Sequence, residues 1–298
     1  MSVCLQYRFL VRFKLKSNPT NKTLFYIQHI DFGDVYFNQT YTHNIQLCNT
    51  GVVPAMYQIK DSREELQAPT STNQKTRLSS KKLLEEIGIF ITPTQGVIPC
   101  KGDQTLSTVQ FQLTIDTKVV SKYNMGESYR VGFKIFNRVL GVDGKNPLDS
   151  IILLVQLGDQ NDVERPPAVH YITMSARWHF SVFGMPRKVL CLKGKTPLAE
   201  LTYELVSDMN SKSDESRGRF IPMELWKIMD EIFNRGMKED ALFLRQGVQA
   251  ETENIIRMLD SDSIETLQSE ELPGEVKSIA EVLLLFLNSM PEPIIPYS

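Results

Sequence analysis

The spacing of apolar residues changes once along this chain, near Gly184, and that change limits the fold more than any other feature. Upstream the repeat is two. Val109, Phe111, Leu113 and Ile115 alternate with Gln110, Gln112 and Thr114, and Tyr129, Val131, Phe133 and Ile135 repeat the pattern. Side chains of a strand point alternately to its two faces, so this spacing predicts half-buried strands. Downstream the steps are three and four: Leu225, Trp226, Met229, Ile232 and Phe233 stand opposite Glu224, Lys227, Asp230 and Glu231. That is one stripe along a helix. A single switch between the two predicts an immunoglobulin-like β-sandwich followed by an all-α domain, and 298 residues are enough for both cores.

The sandwich is expected over residues 24–184, after an N-terminal extension, 1–23. In that extension Val3, Leu5, Tyr7, Phe9, Val11, Phe13 and Leu15 alternate with polar residues, a strand pattern rather than the apolar run of a signal peptide. A turn at Asp31–Asp34 precedes a strand at Val35–Phe37, and Asn44–Cys48 leads into a turn at Asn49, Thr50 and Gly51. Ile151–Val155 reads as a buried strand and Tyr171–Phe180 as a last edge or linker strand. Two polar insertions, near 61–82 and 158–167, read as exposed loops.

The helical domain is expected over 185–298. Residues 185–197 read as junction until Thr196 caps a helix, with Pro197 at its first position, that runs to about Met209. Pro222 opens the amphipathic helix and Gly236 ends it. A helix over Ala250–Leu259 turns Ile255, Ile256 and Leu259 inward. Val276, Ile279, Ala280, Leu283 and Leu287 define another, stopped by Pro291 and Pro293.

Chemistry read from residue type is sparse. A net charge of −2 gives no general argument for nucleic acid, and the apolar runs Ile151–Leu157 and Val282–Leu287 are too short to cross a bilayer. Cys4, Cys48, Cys100 and Cys191 contain no close pair, a spacing that indicates neither zinc nor a disulfide framework and fits four free thiols in a reducing compartment. His29, His43, His170 and His179 lack metal-ligand spacing. Gly141–Lys145 lacks the spacing of a phosphate loop, and Asp143-Gly144 fits a hairpin turn better. No cofactor and no metal are expected.

Three stretches resemble a RhoGAP domain: Arg219–Phe233, Leu242–Gly247 and Ala280–Ile295. The similarity is greater to the RhoGAP-like domain of the Lowe-type (oculocerebrorenal) and type II inositol polyphosphate 5-phosphatases. The turn at Asn49–Pro54 and the junction at Phe183-Gly184 resemble the ASH domain of that family, a sandwich like the major sperm protein. The resemblance covers roughly 24–298 and implies a set of partners. The ASH domain would bind Rab GTPases. The RhoGAP-like domain would bind Rac- and Cdc42-type GTPases and short adaptor peptides carrying Phe and His. Together they would recruit the chain from the cytoplasm to endosome and Golgi membranes, peripherally and through partners. The phosphatase motifs of the family are not found in this sequence, so no phosphoinositide hydrolysis is expected of this chain. A RhoGAP fold also continues past the position of Ser298, which leads to the expectation that the helical domain is partial.

The register of Leu242–Gly247 bears on activity. An active RhoGAP loop places its arginine finger three residues before the glycine, where it offsets charge on the transferring phosphate for roughly 10³–10⁵ in rate. Counting back from Gly247, that position holds Leu244, and the arginine follows at Arg245. One residue displaces a head group by about 3.5 Å, more than catalytic positioning tolerates. The lysine usual in active members is replaced by Leu284, and Asn288 stands where a second basic residue is frequent. The resemblance thus implies no catalytic residue and no GTPase activation. The alternative is an active GTPase activator in which a backbone shift brings Arg245 into place. Trp226 matches a tryptophan lining the adaptor-peptide groove, while its helical spacing alone reads as core. Phe183 matches a phenylalanine at the Rab-binding edge, with packing at the domain junction as the other reading.

Overall fold

The computed structural model describes residues 27–47, 54–61, 79–99, 107–126, 151–157, 168–194, 196–211, 221–261 and 271–292. Eight strands come first among them: β1 (Ile27–Val35), β2 (Thr40–Leu47), β3 (Ala55–Asp61), β4 (Ile89–Thr92), β5 (Gln95–Ile98), β6 (Ser107–Thr114), β7 (Ile151–Leu157) and β8 (Ala168–Trp178). They form a five-stranded sheet in the order β1-β8-β7-β3-β5 and a three-stranded sheet in the order β2-β6-β4. β7 pairs antiparallel with β8 (Leu153 opposite Ile172) and with β3 (Val155 opposite Ile59), and β4 pairs antiparallel with β6 (Ile91 opposite Phe111). The alternation in β6 follows the expected period: Val109, Phe111 and Leu113 are buried while Gln110 is exposed.

Two short helices lie within the strand series, α1 (Ser80–Glu85) and α2 (Val120–Asn124). Five more follow it: α3 (Arg187–Lys193), α4 (Tyr203–Ser211), α5 (Met223–Gly236), α6 (Gln249–Ser261) and α7 (Val276–Ser289). The chain divides into two compact units. One holds 41–113 and 129–177 with the N-terminal residues, and the other holds everything from Trp178 onward together with 34–40 and 114–128.

Several expectations are corrected. Asp31–Asp34 is not a turn between strands but the end of β1. The local chemistry is nonetheless that of a turn, since Asp31 Oδ1 accepts the Gly33 amide at 3.0 Å inside the strand. Tyr171–Phe180 supplies an interior strand rather than an edge, because β8 has neighbours on both sides and ends at Trp178. The end of the 61–82 insertion folds as α1, with Leu83 and Leu84 buried, and α1 packs on β3 and β4. The junction at 185–197 contains α3. Its Val189 and Leu190 are buried, an apolar pair too short for a periodicity argument. The single helix expected from Pro197 to Met209 is broken: a 3₁₀ turn at Leu198–Glu200 ends at Leu201, whose extended backbone (φ −74°, ψ 136°) separates it from α4. The expected strand at Val3–Leu15, the turn at Asn49–Gly51, the strand at Tyr129–Ile135, the Asp143-Gly144 hairpin and the 158–167 loop lie outside the described residues.

Within the second unit, the segment from Trp178 to Gly184 is tied from several directions. Asn124, fully buried in α2, donates from Nδ2 to the carbonyls of Ser181 (3.0 Å) and Phe183 (2.6 Å). Its Oδ1 accepts the Trp178 indole N–H (3.1 Å) and the Ser181 amide (3.3 Å). All four hydrogen-bonding positions of the amide are used. Gly184 adopts φ +68°, and a Cβ there would lie 2.3 Å from Val120 Cγ1, so both conformation and space require glycine. Its amide donates to Ser289 Oγ at 2.9 Å. Phe183 is fully buried, stacked on Phe37 (centroids 4.8 Å apart) and edge-on to Phe286 (5.5 Å). Asn124→Ala would strand the buried groups it now satisfies, and each such loss costs about 1–3 kcal/mol. Urea unfolding is expected to show a loss of at least about 3 kcal/mol, against a much smaller change for the exposed Asn44→Ala.

Candidate functional site

Helix α5 is apolar on two sides, and only one of them is core. Leu225 and Ile228 are buried, and so are Glu224 and Glu231. Glu231 accepts from Lys227 Nζ at 2.8 Å and from the Leu272 amide at 3.2 Å, and Arg235 links it to the carbonyls of Leu272 and Gly274. Burial acts to raise the Glu231 pKa, but the hydrogen bonds from Lys227 and Leu272 outweigh it and hold the carboxyl below its ordinary value. Glu231 is satisfied by charge and hydrogen bonds, and Glu224 is paired through Oε1 with Lys193 at 2.8 Å while its Oε2 has no partner; these pairings offset the cost of carboxylates on the inner arc.

Of the five residues assigned to the core by spacing, Leu225 is buried and Ile232 half-buried, whereas the other three face solvent. Trp226 is 54% exposed, Met229 46% and Phe233 66%, and Met237 continues the line past the helix end. At 3.6 residues per turn, the centre of the inner arc lies roughly 145° around the helix from that of Trp226, Met229 and Phe233. The packing reading of Trp226 is therefore corrected, because Trp226 presents an indole on an open face. The helix does end at Gly236, as its last helical residue rather than as a left-handed cap, buried against Leu242 and Val276. α7 shows the same kind of rotation: Ile279, Val282 and Phe286 are buried, whereas Leu284 and Leu287 are exposed.

The glycine loop sits at the far end of α5. Gly247 lies so close to α7 that a Cβ would fall 2.5 Å from the Ser278 Cα. Its amide donates to Glu281 Oε2 at 2.8 Å, and the Val248 amide donates to Ser278 Oγ at 3.0 Å. Glu251 of α6 accepts from Ser278 Oγ (2.7 Å) and from the Glu275 amide (2.8 Å), holding the start of α7; these bonds lower its pKa. The base of the loop is thus fixed and its tip projects. Leu244 is 87% exposed, with Phe243 and Arg245 exposed beside it. Among the described residues Arg245 makes no ion pair or hydrogen bond. Leu284 lies one turn of α7 beyond Glu281. Leu244 and Leu284, the two residues that the resemblance sets against the cations of an active RhoGAP domain, are both exposed leucines.

Phe183 is the clearest departure from a binding reading. Being fully buried, it offers no surface for direct contact, and its role in this structure is packing. The residues that organise the unit, Asn124, Glu231, Glu251 and Asp260, went unnoticed in sequence because polar residues at irregular spacing carry no period. The nearest available signal was Glu231 itself, four residues from both Lys227 and Arg235. His29 hydrogen-bonds Thr173 and Ser175 (both 2.8 Å), and His179 pairs with Asp34 (3.0 Å) and stacks on Tyr36. Trp226→Ala is expected to change stability by less than about 0.5 kcal/mol, as exposed substitutions do. Ile228→Ala, on the inner arc, is expected to cost about 2–5 kcal/mol in the same urea titration.

Comparison with known proteins places these features. Residues 222–298 match the RhoGAP domain family. The type II inositol 1,4,5-trisphosphate 5-phosphatase of Mus musculus is 31% identical over 163 residues, 52% of this chain, and the chain spans 15% of that relative's length. Among solved structures, SSP-19, an MSP-domain-like protein of Caenorhabditis elegans, matches 50% of the chain and 94% of its own length at 12% identity and a TM-score of 0.24. The ASH/PapD-like domain 7 of human CEP192 matches 56% of the chain and 96% of its own length at 8% identity and a TM-score of 0.27. Residues 222–298 thus carry a RhoGAP domain, and over 163 residues the chain is similar to a type II inositol 1,4,5-trisphosphate 5-phosphatase of which it spans 15%.

Proposed function

We propose that this chain is a binding module that engages small GTPases and adaptor peptides without accelerating GTP hydrolysis. The observation that carries the proposal is the exposed stripe of α5. A helix that keeps Trp226, Met229 and Phe233 in solvent while burying Glu224 and Glu231 reserves its apolar surface for something outside the chain. The three side chains follow helical spacing, which suits an amphipathic helix carrying aromatic anchors, with Trp226 as the large flat residue on which such contacts concentrate. The family resemblance supplies the partner chemistry: adaptor peptides with Phe and His at this face, Rac- or Cdc42-type GTPases on the helical domain, and Rab GTPases on the sandwich. Endosome and Golgi recruitment through these partners follows from the same reading.

Silence toward GTP rests on the loop. The Gly247 amide is fastened to Glu281 and the Val248 amide to Ser278, so a slide of one residue would break both bonds and bring Gln246 or Val248, each with a Cβ, into the space against the helix that only glycine fits. A fixed Gly247 supports the count that sets Leu244 against the finger position of the family. The second reading, activation through Arg245, draws on one observation, the freedom of that exposed side chain.

Two measurements test the proposal. Single-turnover GTP hydrolysis by Rac or Cdc42 is expected to proceed at its intrinsic rate with either the wild-type chain or Arg245→Ala. Acceleration that Arg245→Ala abolishes would establish the second reading instead. Calorimetric titration with a synthetic amphipathic peptide bearing Phe and His anchors is expected to show binding that Trp226→Ala weakens by at least about tenfold, a loss of about 1.4 kcal/mol. Equal binding by the two proteins would remove α5 from the account.

A further inference from the structure

The loop between α5 and α6 leaves the helices after Gly236 and returns at Gly247, and both of its ends close on the first turn of α7. A Cβ at Gly236 would lie 3.0 Å from Val276 Cγ2, and one at Gly247 would lie 2.5 Å from the Ser278 Cα. The two stems therefore stand close together on α7, and residues 237–246 form a closed excursion of the Ω type. Leu242 fills its neck, half-buried, with Cδ2 3.0 Å from the same Cβ position at Gly236. Within the loop the Glu239 amide donates to the Gly236 carbonyl and the Leu244 amide to the Ala241 carbonyl, both at 3.0 Å. Ala241 takes φ 56°, a left-handed value uncommon outside glycine that persists where the surrounding structure imposes it.

This closed neck presents apolar side chains to solvent. Leu244 and Met237, 87% and 73% exposed, are the two most exposed large apolar residues of the described chain, and Phe243 is exposed beside Leu244. Two cations stand next to them in sequence, Lys238 after Met237 and Arg245 after Leu244. Among the described residues neither makes an ion pair or a hydrogen bond. The acids nearby are mostly committed: Glu239 pairs with Lys277 at 3.6 Å, Glu281 holds the Gly247 amide, and Glu251 holds the start of α7. Asp240 is the remaining acid of the loop, so the uncommitted charge is positive.

We propose that residues 237–245 are a lipid-insertion loop. Phe243 and Leu244 enter the boundary between headgroups and acyl chains of an anionic membrane, and Arg245 and Lys238 remain at its phosphates. Apolar side chains interleaved with basic ones are the composition that binds such an interface, with burial and attraction to anionic lipid acting together. The long stems of Lys and Arg lie along apolar surroundings while their charges stay with the headgroups. The shape favours lipid over a folded protein. A protein partner needs a matching pocket for each apolar anchor, whereas a fluid bilayer closes around any convex tip. Because both stems are already fixed, little conformational freedom is lost on insertion. The loop thereby adds a direct membrane contact to recruitment through partners, and it makes no use of the Trp226 face.

Flotation of the full chain with lipid vesicles provides the test. The chain is expected to float with vesicles of equimolar phosphatidylcholine and phosphatidylserine, and less with phosphatidylcholine alone. Phe243→Ser combined with Leu244→Ser is expected to lower the partition coefficient by at least about tenfold. Both positions are exposed, so the urea midpoint of the variant is expected to stay close to that of the wild type. Val97→Ser removes an exposed apolar side chain from β5 and is expected to leave the partition unchanged. Absence of flotation, an equal partition for wild type and double variant, or an equal loss with Val97→Ser overturns the proposal. A double variant that keeps its vesicle partition but loses binding to Rac or Cdc42 also overturns it, and assigns the tip to a GTPase interface instead.

Discussion

Asn124 directs two donors and two acceptors at one short stretch of chain, and the second unit is arranged around the result. A buried amide this fully used is worth more as a constraint than as a sum of bonds, because each bond fixes the geometry of the next. Trp178 is held by its indole, Ser181 by both backbone groups and Phe183 by its carbonyl. From the other side Asp260 and Ser289 take the amides of Val182 and Gly184. The segment therefore has no freedom to turn Phe183 outward, and Phe37 and Phe286 close over that ring. The contacts of Phe183 show why a residue can matter to a surface without belonging to it.

The helices that follow are fastened by charge as much as by apolar burial. α7 is the common element, packed on α5 and α6. Its first turn is held by Glu251, and its middle receives the glycine loop through Ser278 and Glu281. Glu231 does the same for residues 272–274 from α5. Because carboxylates with good partners occupy the inner arc, α5 has apolar surface left over, and Trp226, Met229 and Phe233 carry it into solvent. The exposed stripe and the buried ion pairs are two sides of the same arrangement.

Much of this was legible in the residues, and the failures share a cause. The period of two in Val109–Ile115 gave the right strand with the right faces, and Ile255, Ile256 and Leu259 turned inward as their spacing required. Spacing located α5 and the inward Leu225, but it put Trp226, Met229 and Phe233 on the wrong side. A hydrophobicity pattern takes apolar residues to be inside, and it has no means of recognising that Glu224 and Glu231 have buried partners distant in sequence. Lys193 is thirty-one positions from Glu224, and the Leu272 amide forty-one from Glu231. Short elements were missed for a related reason: α1, α2 and α3 have 6, 5 and 7 residues, too few for a helical repeat to declare itself. The register of the loop, by contrast, needed only counting, and the fixed position of Gly247 gives that count its physical meaning.

The chain has two tryptophans, and they occupy opposite environments: Trp178 buried and bonded to Asn124, Trp226 open on α5. Their indole N–H resonances report separately on the core and on the face assigned to binding. Titrating the labelled chain with the synthetic Phe- and His-bearing peptide is the most direct test of the central claim. The account predicts that the Trp226 resonance moves through the titration while that of Trp178 stays in place. A shift confined to Trp178, or a bound complex in which Trp226 does not respond, would contradict it.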